Sequence, residues 1–348
     1  MSLIKRALRE VLTDEEMQKL VRSYDMIGDV LLVKLHPDLR RRKNEIGHAL
    51  KKAFPHARVI AAVPLFGKTH DTFRTRDLDI IFGEERTETI HKESGCVFKV
   101  DIRNAFFSPR LAYERMRVAR KVREGETVVN MFAGVGCFSI IIAKVQPNVR
   151  KIYSIDINPV AYHYMCENIR LNNVEDRVVP ILGDARDVLK DIKWEISRVL
   201  MPLPDKAHEF LADVVKLPNV NAIHYYDVAF SLVGMNRREM NRGAPDGVSD
   251  RVQDAVKCAS GLMEAAGKVG EEERADRRKK GGYELFREPY KRAMSIIRAE
   301  DMSVSVCVEE MRVVRSVGPR KYHVVIDFRL KREGMKREKE TKVISHDN

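Results

Sequence analysis

The 348-residue chain carries 63 Lys plus Arg against 51 Asp plus Glu, a formal net charge of +12, with 44% hydrophobic and 33% charged residues. That balance excludes a disordered or fibrous chain, and the length leaves room for two cores. The positive excess favours a polyanionic partner, and nucleic acid is the natural one.

Five cysteines stand far apart, at 96, 137, 166, 258 and 307, with no CxxC pair and no Cys/His spacing for zinc. A reduced cytoplasmic setting and no metal are expected. The start, MSLIKRALREVL, reads as a charged amphipathic helix rather than a secretion signal, and no later stretch reaches membrane-spanning length.

In chain order, residues 5–23 are predicted helical, 29–35 (DVLLVKL) a strand, HPDLRRRKNEIGHALKKAF a helix and ARVIAAVPLF a strand. LDIIFG and CVFKVDI follow as strands, with EERTETIHKESG read as a turn-rich separator. Residues 1–104 are thus expected to form a small α+β substrate-binding domain.

From Pro109 the pattern changes. LAYERMRVARKV reads as helix, ETVVNMF as a strand running into Gly134 and Gly136, and SIIIAKV as helix. Short apolar strands then alternate with helices through IYSIDI, AYHYMCENIRLNN, VVPILGDA, RVLMPLP, HEFLADVVKL and AIHYYDVAF, the signature of a parallel doubly wound α/β sheet. Residues 105–330 form this expected second domain. Residues 236–285 read as a charged surface excursion with one or two helices, and YELFREPYKRAMSIIRAE as helix. VSVCVEEMRVV and KYHVVIDFRL read as an antiparallel hairpin closing the sheet, and 331–348 as a basic disordered tail.

VVNMFAGVGCFS places Ala133, Gly134 and Gly136 where a strand turns into a helix, so backbone can approach a ligand and helix N–H groups face it. A tight turn without a ligand is the competing reading, since the third glycine of a dinucleotide fingerprint is missing. Asp156 ends the next strand about twenty residues on, where a carboxylate can accept from both ribose hydroxyls of an adenosine. Asp184, in ILGDA, is placed for the adenine edge. Each acid alone also fits a helix cap. A glycine-rich turn, an acid and GDA in register along one crevice make the pattern of class I methyltransferases.

Several stretches go further: FRTRDLDIIFG, FFSPRLAYERMR, NMFAGVGCFS, IDINP, ENIRLNN, GDAR, HEF, HYYD and VGPRKYHVVIDF. Together they resemble the archaeal and eukaryotic tRNA (guanine-37-N1)-methyltransferases, including archaeal forms that act in wyosine biosynthesis. The resemblance covers roughly residues 15–235 and 310–330. It implies a Rossmann-like class I methyltransferase domain with a smaller N-terminal α+β RNA-binding domain, S-adenosyl-L-methionine as cofactor, tRNA as partner and a monomer. The methyl group would go to N1 of guanine 37.

Carried over by position, Glu114 resembles the family's general base for the guanine N1 proton. Arg74 matches the arginine that binds guanine O6 and stabilises charge there. Phe106, Arg110, Phe132, Asp156, Ile157, Asp184 and Ala185 would surround the cofactor and the target base. Ala133, Gly134, Gly136 and Pro202 complete the expected cofactor wall. The competing expectations are a surface ion pair between Glu114 and a nearby arginine, and a surface charge cluster at Arg74, Arg76 and Asp77. His224 and Tyr225 read as core or sheet-edge groups.

Two positions depart from the family's pattern. Pro202 in MPLP stands where the family usually has Asn, which removes an amide and an N–H. Asn130 stands where it typically has Asp, which removes a negative charge near the sulfonium. An altered target atom, aminocarboxypropyl transfer, or a non-catalytic RNA-binding paralogue therefore remain as alternatives, although Arg110 in FSPR marks the methyl-transferring branch. The family's small tRNA-inspecting N-terminal domain is expected to be absent, and the 236–285 insertion has no counterpart in the resemblance.

Overall fold

In the computed structural model, residues 2–65, 73, 75–191, 195–231 and 277–332 are described, with 277–283 described as backbone only. The first sheet has four strands in the order β1 (Tyr24–Ile27), β2 (Val30–Leu35), β3 (Val59–Pro64), β4 (Asp79–Gly83). Only β2 and β3 run parallel. The crossover between them is a 3-10 turn, Pro37–Arg42, followed by α3 (Lys43–Ala53).

The expected helix over residues 5–23 is instead two short ones, α1 (Leu3–Leu8) and α2 (Asp14–Gln18). Thr13 causes the break: its side chain accepts from Glu16 N while Glu16 reaches back to Thr13 N, a complete capping box. β1 was not anticipated. It is a hairpin partner of β2 across the two-residue Gly28–Asp29 turn, where Gly28 has φ +55°. Ile4, Leu8, Leu39, Ile46 and Leu50 bury one face of this sheet under the helices.

The segment read as a separator contains a strand. β5 (Glu88–Glu93) pairs antiparallel with β6 (Cys96–Asp101) through Ser94 and Gly95, both at positive φ. The other edge of β6 is paired by side chains. Asn168 on α6 (Pro159–Leu171) and Asn172 at its C-cap accept from Lys99 N (2.7 Å) and Val97 N (2.9 Å) and donate to the same residues' carbonyls (3.0 and 2.7 Å). Two amides thus stand in for a neighbouring strand, so the edge's polar groups are satisfied without one.

The large sheet has seven strands in the order β12-β13-β11-β10-β7-β8-β9. β7 (Thr127–Asn130), β8 (Lys151–Asp156), β9 (Val178–Leu182), β10 (Arg198–Met201) and β11 (Ala222–Phe230) are parallel. β12 (Ser305–Gly318) and β13 (Lys321–Lys331) close the sheet as the expected antiparallel hairpin. One face is covered by α4 (Ala112–Lys121), α5 (Cys137–Val145) and α6, whose core runs on through Phe98, Val100, Ile27 and Val30 into the first sheet. The other face is covered by α7 (Ala185–Asp191), α8 (Leu211–Val215) and α9 (Arg277–Glu300).

The fold is therefore doubly wound α/β, as expected. Strand order reverses at β7, between β10 and β8, and in such sheets the ligand crevice lies beyond the carboxyl ends at that point. The expected excursion lies outside the described residues up to 276, and its last stretch, 277–285, is the start of α9. The expected basic tail lies outside them from residue 333. No described helix is long and apolar enough to cross a membrane.

Candidate active site

β7 stops at Asn130 and the chain turns through Phe132, Ala133 and Gly134 into α5. Gly134 (φ +56°) and Gly136 (φ +90°) hold left-handed backbone that L side chains rarely adopt. A Cβ on Gly136 would also come within 3.1 Å of Met165 Cγ. Gly136 caps α5 without a side-chain hydrogen bond, so the helix presents its first-turn N–H groups to the crevice.

Asp156, the last residue of β8, is tied to this turn. Its Oδ2 accepts from Gly134 N at 2.6 Å and its Oδ1 from Asn158 N at 2.9 Å. Burial pushes its carboxyl pKa up, partly offset by the two N–H groups. Ile157 and Leu182, at the ends of β8 and β9, remain 40% and 49% exposed. Apolar side chains left open beside an anchored carboxylate, under a turn with no Cβ at 134 or 136, fit an adenosine with its ribose on Asp156. Phe132 packs edge-on against Phe210, whose ring lies under Arg186 (5.0 and 4.3 Å). The backbone of Phe106 passes this turn: a Cβ on Gly134 would lie 3.5 Å from Phe106 O.

Asp184 turns out to be a helix cap as well: its Oδ1 accepts from Arg186 N at 2.8 Å at the start of α7. Ala185 is buried behind it. Pro202 follows β10 at a tight turn in which Leu203 N donates to Met201 O (2.7 Å). Asn130 is fully buried and donates to Ser139 Oγ at 3.1 Å, while its Oδ1 has no hydrogen-bond partner among the described residues. This side chain thus lies against a neutral hydroxyl. Arg110 is exposed and pairs with Asp25 of β1 (2.6 Å). Arg74 lies outside the described residues.

Glu114 is neither exposed nor free. Only 3% exposed, its Oε1 accepts from Arg117 (2.7 Å) and from the Tyr226 hydroxyl (2.6 Å), and its Oε2 from Arg117 Nε (2.9 Å). Arg117 also reaches Asp327 (2.5 Å) and Glu310 (2.8 Å), and Lys121 reaches both acids as well. His224 continues the chain, Nδ1 to Asp327 at 2.7 Å and Nε2 to Arg198 at 2.9 Å. An arginine only donates, so Nε2 accepts and the proton sits on Nδ1: His224 is neutral. Arg198 is held bidentately by Glu126. Four acids (Glu114, Glu126, Glu310, Asp327) therefore face four cations (Arg117, Lys121, Arg198, Arg312) inside the protein. His224 and Tyr225 are buried, as expected of core groups.

Tyr226 follows Tyr225, the register partner of Met201 at the end of β10, so Glu114 lies at the carboxyl edge of the sheet. Sequence reading missed Arg115 and placed Arg76 only in a surface charge cluster. Arg115 is buried and clamps Glu93 of β5 and Ser108 O, and Arg76 donates to Phe107 O (2.8 Å) with its guanidinium 5.5 Å from the Phe106 ring. Together they explain why FFSPRLAYERMR is so specific a stretch: it joins the hairpin, the first sheet and β12–β13 at one point.

Residues 89–245 match the TRM5/TYW2 methyltransferase domain, and residues 4–87 the TYW2 N-terminal domain. The tRNA (guanine(37)-N(1))-methyltransferase Trm5b of Pyrococcus abyssi is 35% identical over 311 residues, covering 88% of this chain and 74% of that one. The chain belongs to the TRM5/TYW2 methyltransferase family. The tRNA 4-demethylwyosine(37)-methyltransferase Taw21 of Saccharolobus solfataricus is 29% identical over 324 residues, 90% of this chain and 96% of that one. The solved complex of aTrm5 with tRNALeu superposes with a TM-score of 0.66 at 28% identity, covering 95% of this chain and 78% of that one. TRM5/TYW2 enzymes are S-adenosylmethionine-dependent tRNA-modifying transferases, and the crevice at Asp156 suits that cofactor.

Proposed function

We propose that this chain methylates N1 of guanine 37 in tRNA. The carrying observation is that a crevice suited to adenosine and a buried, rigidly held acid, Glu114, share one carboxyl edge of the sheet. Bound S-adenosylmethionine would supply an electrophilic methyl group. Asp156 receives the ribose hydroxyls with the lone pairs its backbone donors leave free, and Ile157 and Leu182 offer an apolar face to the adenine. Asp184 caps α7 and keeps its second oxygen for the adenine edge. Phe106, Phe132, Ala133, Gly134, Gly136, Ala185 and Pro202 shape and close the crevice, and Arg110 fixes the FSPR segment through Asp25.

Glu114 takes the N1 proton as the methyl group arrives, because guanine N1 is a weak nucleophile while protonated. Arg117 and Tyr226 hold its carboxylate in one orientation, so no reorganisation is needed at the moment of transfer. Arg74 remains our assignment for O6. The target base leaves its stack to reach this site, at the usual cost of a few kcal/mol.

A second reading, methylation of 4-demethylwyosine at the same position, is favoured by the match of residues 4–87 to the TYW2 N-terminal domain and by the 96% coverage of Taw21. Incubation of G37 and A37 tRNA transcripts with cofactor labelled on the methyl or on the carboxyl group tests the proposal. Methyl label in the G37 transcript alone is expected. Carboxyl label in tRNA would mean aminocarboxypropyl transfer, and no label in the G37 transcript would favour the wyosine substrate.

A further inference from the structure

We propose that the outer end of β11, with the Phe230 ring as its platform, stacks an unpaired tRNA nucleotide next to the flipped target base. This rests on the reading above and adds a contact outside the reacting centre. β11 pairs with β10 only over residues 222–225, whereas residues 226–230 pair, among the described strands, with β13 alone. With the facing ends of β13 and β12 they form a flange that runs about 16 Å past the carboxyl edge of β10. Tyr226, Val228 and Phe230 alternate onto one face of it, and Tyr226 is the residue that reaches Glu114. The other face is covered by α9, through Leu285 and the Arg292–Asp227 ion pair.

Phe230 is 70% exposed at the tip of this flange, on the same face as Tyr226. Its register partner Lys321 holds Nζ 5.9 Å from the ring centre and 4.0 Å from Asp205, an exposed pair of little strength that a phosphate can replace. Arg320 precedes it in the exposed β12–β13 turn. Farther in, Arg315 donates to Ser108 Oγ (2.9 Å) and His323 Nδ1 (3.3 Å), which fixes the flange to the segment that leads into Glu114. Residues 226–230 and 312–325 hold four arginines and lysines against one acid, Asp227, which is turned to Arg292 on the far face. An exposed aromatic ring with a cationic excess around it holds single-stranded nucleic acid, base on ring and phosphate on cation. The reaction calls for such a contact here, because a base swung out to Glu114 leaves its neighbours without a stacking partner.

The test compares wild type, Phe230→Ala, Phe230→Leu, Phe230→Trp and Lys321→Ala, each with S-adenosylhomocysteine and tRNA carrying 2-aminopurine immediately before or after position 37. One of the two probes should be quenched in the wild-type complex and bright in the Phe230→Ala complex. Phe230→Ala should weaken tRNA binding about five- to a hundredfold, the range for one stacked base, with cofactor affinity and melting temperature unaltered. Phe230→Trp should restore both readouts and Phe230→Leu neither. Lys321→Ala should flatten the dependence of log Kd on log salt concentration by about one unit, which Phe230→Ala should leave alone. Equal probe brightness in the wild-type and Phe230→Ala complexes at both positions, or full binding by Phe230→Leu, overturns the proposal. Methyl transfer is scored separately. An unmethylated G37 with the Phe230-dependent quenching intact counts against the reading above and leaves the platform standing, whereas methylation of G37 without that quenching does the reverse.

Discussion

In the proposed reaction Asp156 and Glu114 are the two acids on which the chemistry turns, and they are held in different ways. Asp156 is fixed by the backbone N–H groups of Gly134 and Asn158. Asp156→Ala should weaken cofactor binding by about 1 to 3 kcal/mol in a titration with S-adenosylmethionine, the range for hydrogen bonds to a charged group. An unaltered affinity would remove it from the cofactor site. Glu114 is fixed by Arg117 of its own helix and by side chains of β11 and β12, and Glu114→Gln keeps its shape while removing its basicity. Single-turnover methylation at neutral pH should slow by about 100-fold or more in that variant with cofactor affinity retained. A rate equal to wild type would rule Glu114 out as the base.

At the scale of elements, the Asn168 and Asn172 amides that pair with β6 anchor the β5–β6 hairpin to α6. Asn168→Ala strips buried partners from Lys99 and from Val135 O, and should cost about 2 kcal/mol or more in urea unfolding. A change under half of that would mean water replaces the amide. Most of the parallel strands were legible because they are short apolar runs followed by Gly, Asp or Pro, the signals of a buried βα unit. β5 was not, because its inward residues are the polar Thr89, His91 and Glu93 while its one aliphatic residue, Ile90, faces outward, which breaks the apolar alternation. The break at Thr13 had a signal, a T-x-x-E box, that the helical reading of 5–23 overrode, and β1 had one, a Gly-Asp turn, in the stretch left unassigned between that helix and the strand at 29. The crevice acids could be placed from sequence because strand ends place them. The surroundings of Glu114 could not, since Glu310 and Asp327 meet Arg117 from 193 and 210 residues away.

For the whole molecule, the buried ion network joins α4 to β11, β13 and β12 and so ties the candidate base to the closing hairpin. Asp327→Asn leaves Arg117 and Lys121 short of an acid, and a loss of about 3 to 5 kcal/mol is expected on unfolding. Burial alone would raise the Asp327 pKa, but the His224 and Arg117 contacts bring it well below 3.8, while burial pulls neutral His224 below 6.5. Both folded values lie under the unfolded ones, so the unfolded chain takes up protons first as pH falls. Thermal stability should therefore decline from about pH 6.5 downward and fall again below about pH 4, and a flat profile between pH 7.5 and 5.5 would contradict a neutral buried His224. The net charge of +12 belongs to this scale too, and tRNA affinity should drop steeply with added salt. All of this bears on a single claim, that the methyl group reaches nitrogen 1 of guanine 37. Nuclease digestion and mass spectrometry of a G37 transcript after incubation with the protein and S-adenosylmethionine tests it most directly. One N1-methylguanosine per tRNA, lost when position 37 is adenine, is the predicted result; an unmodified G37, or methylation at another atom or position, would contradict the account.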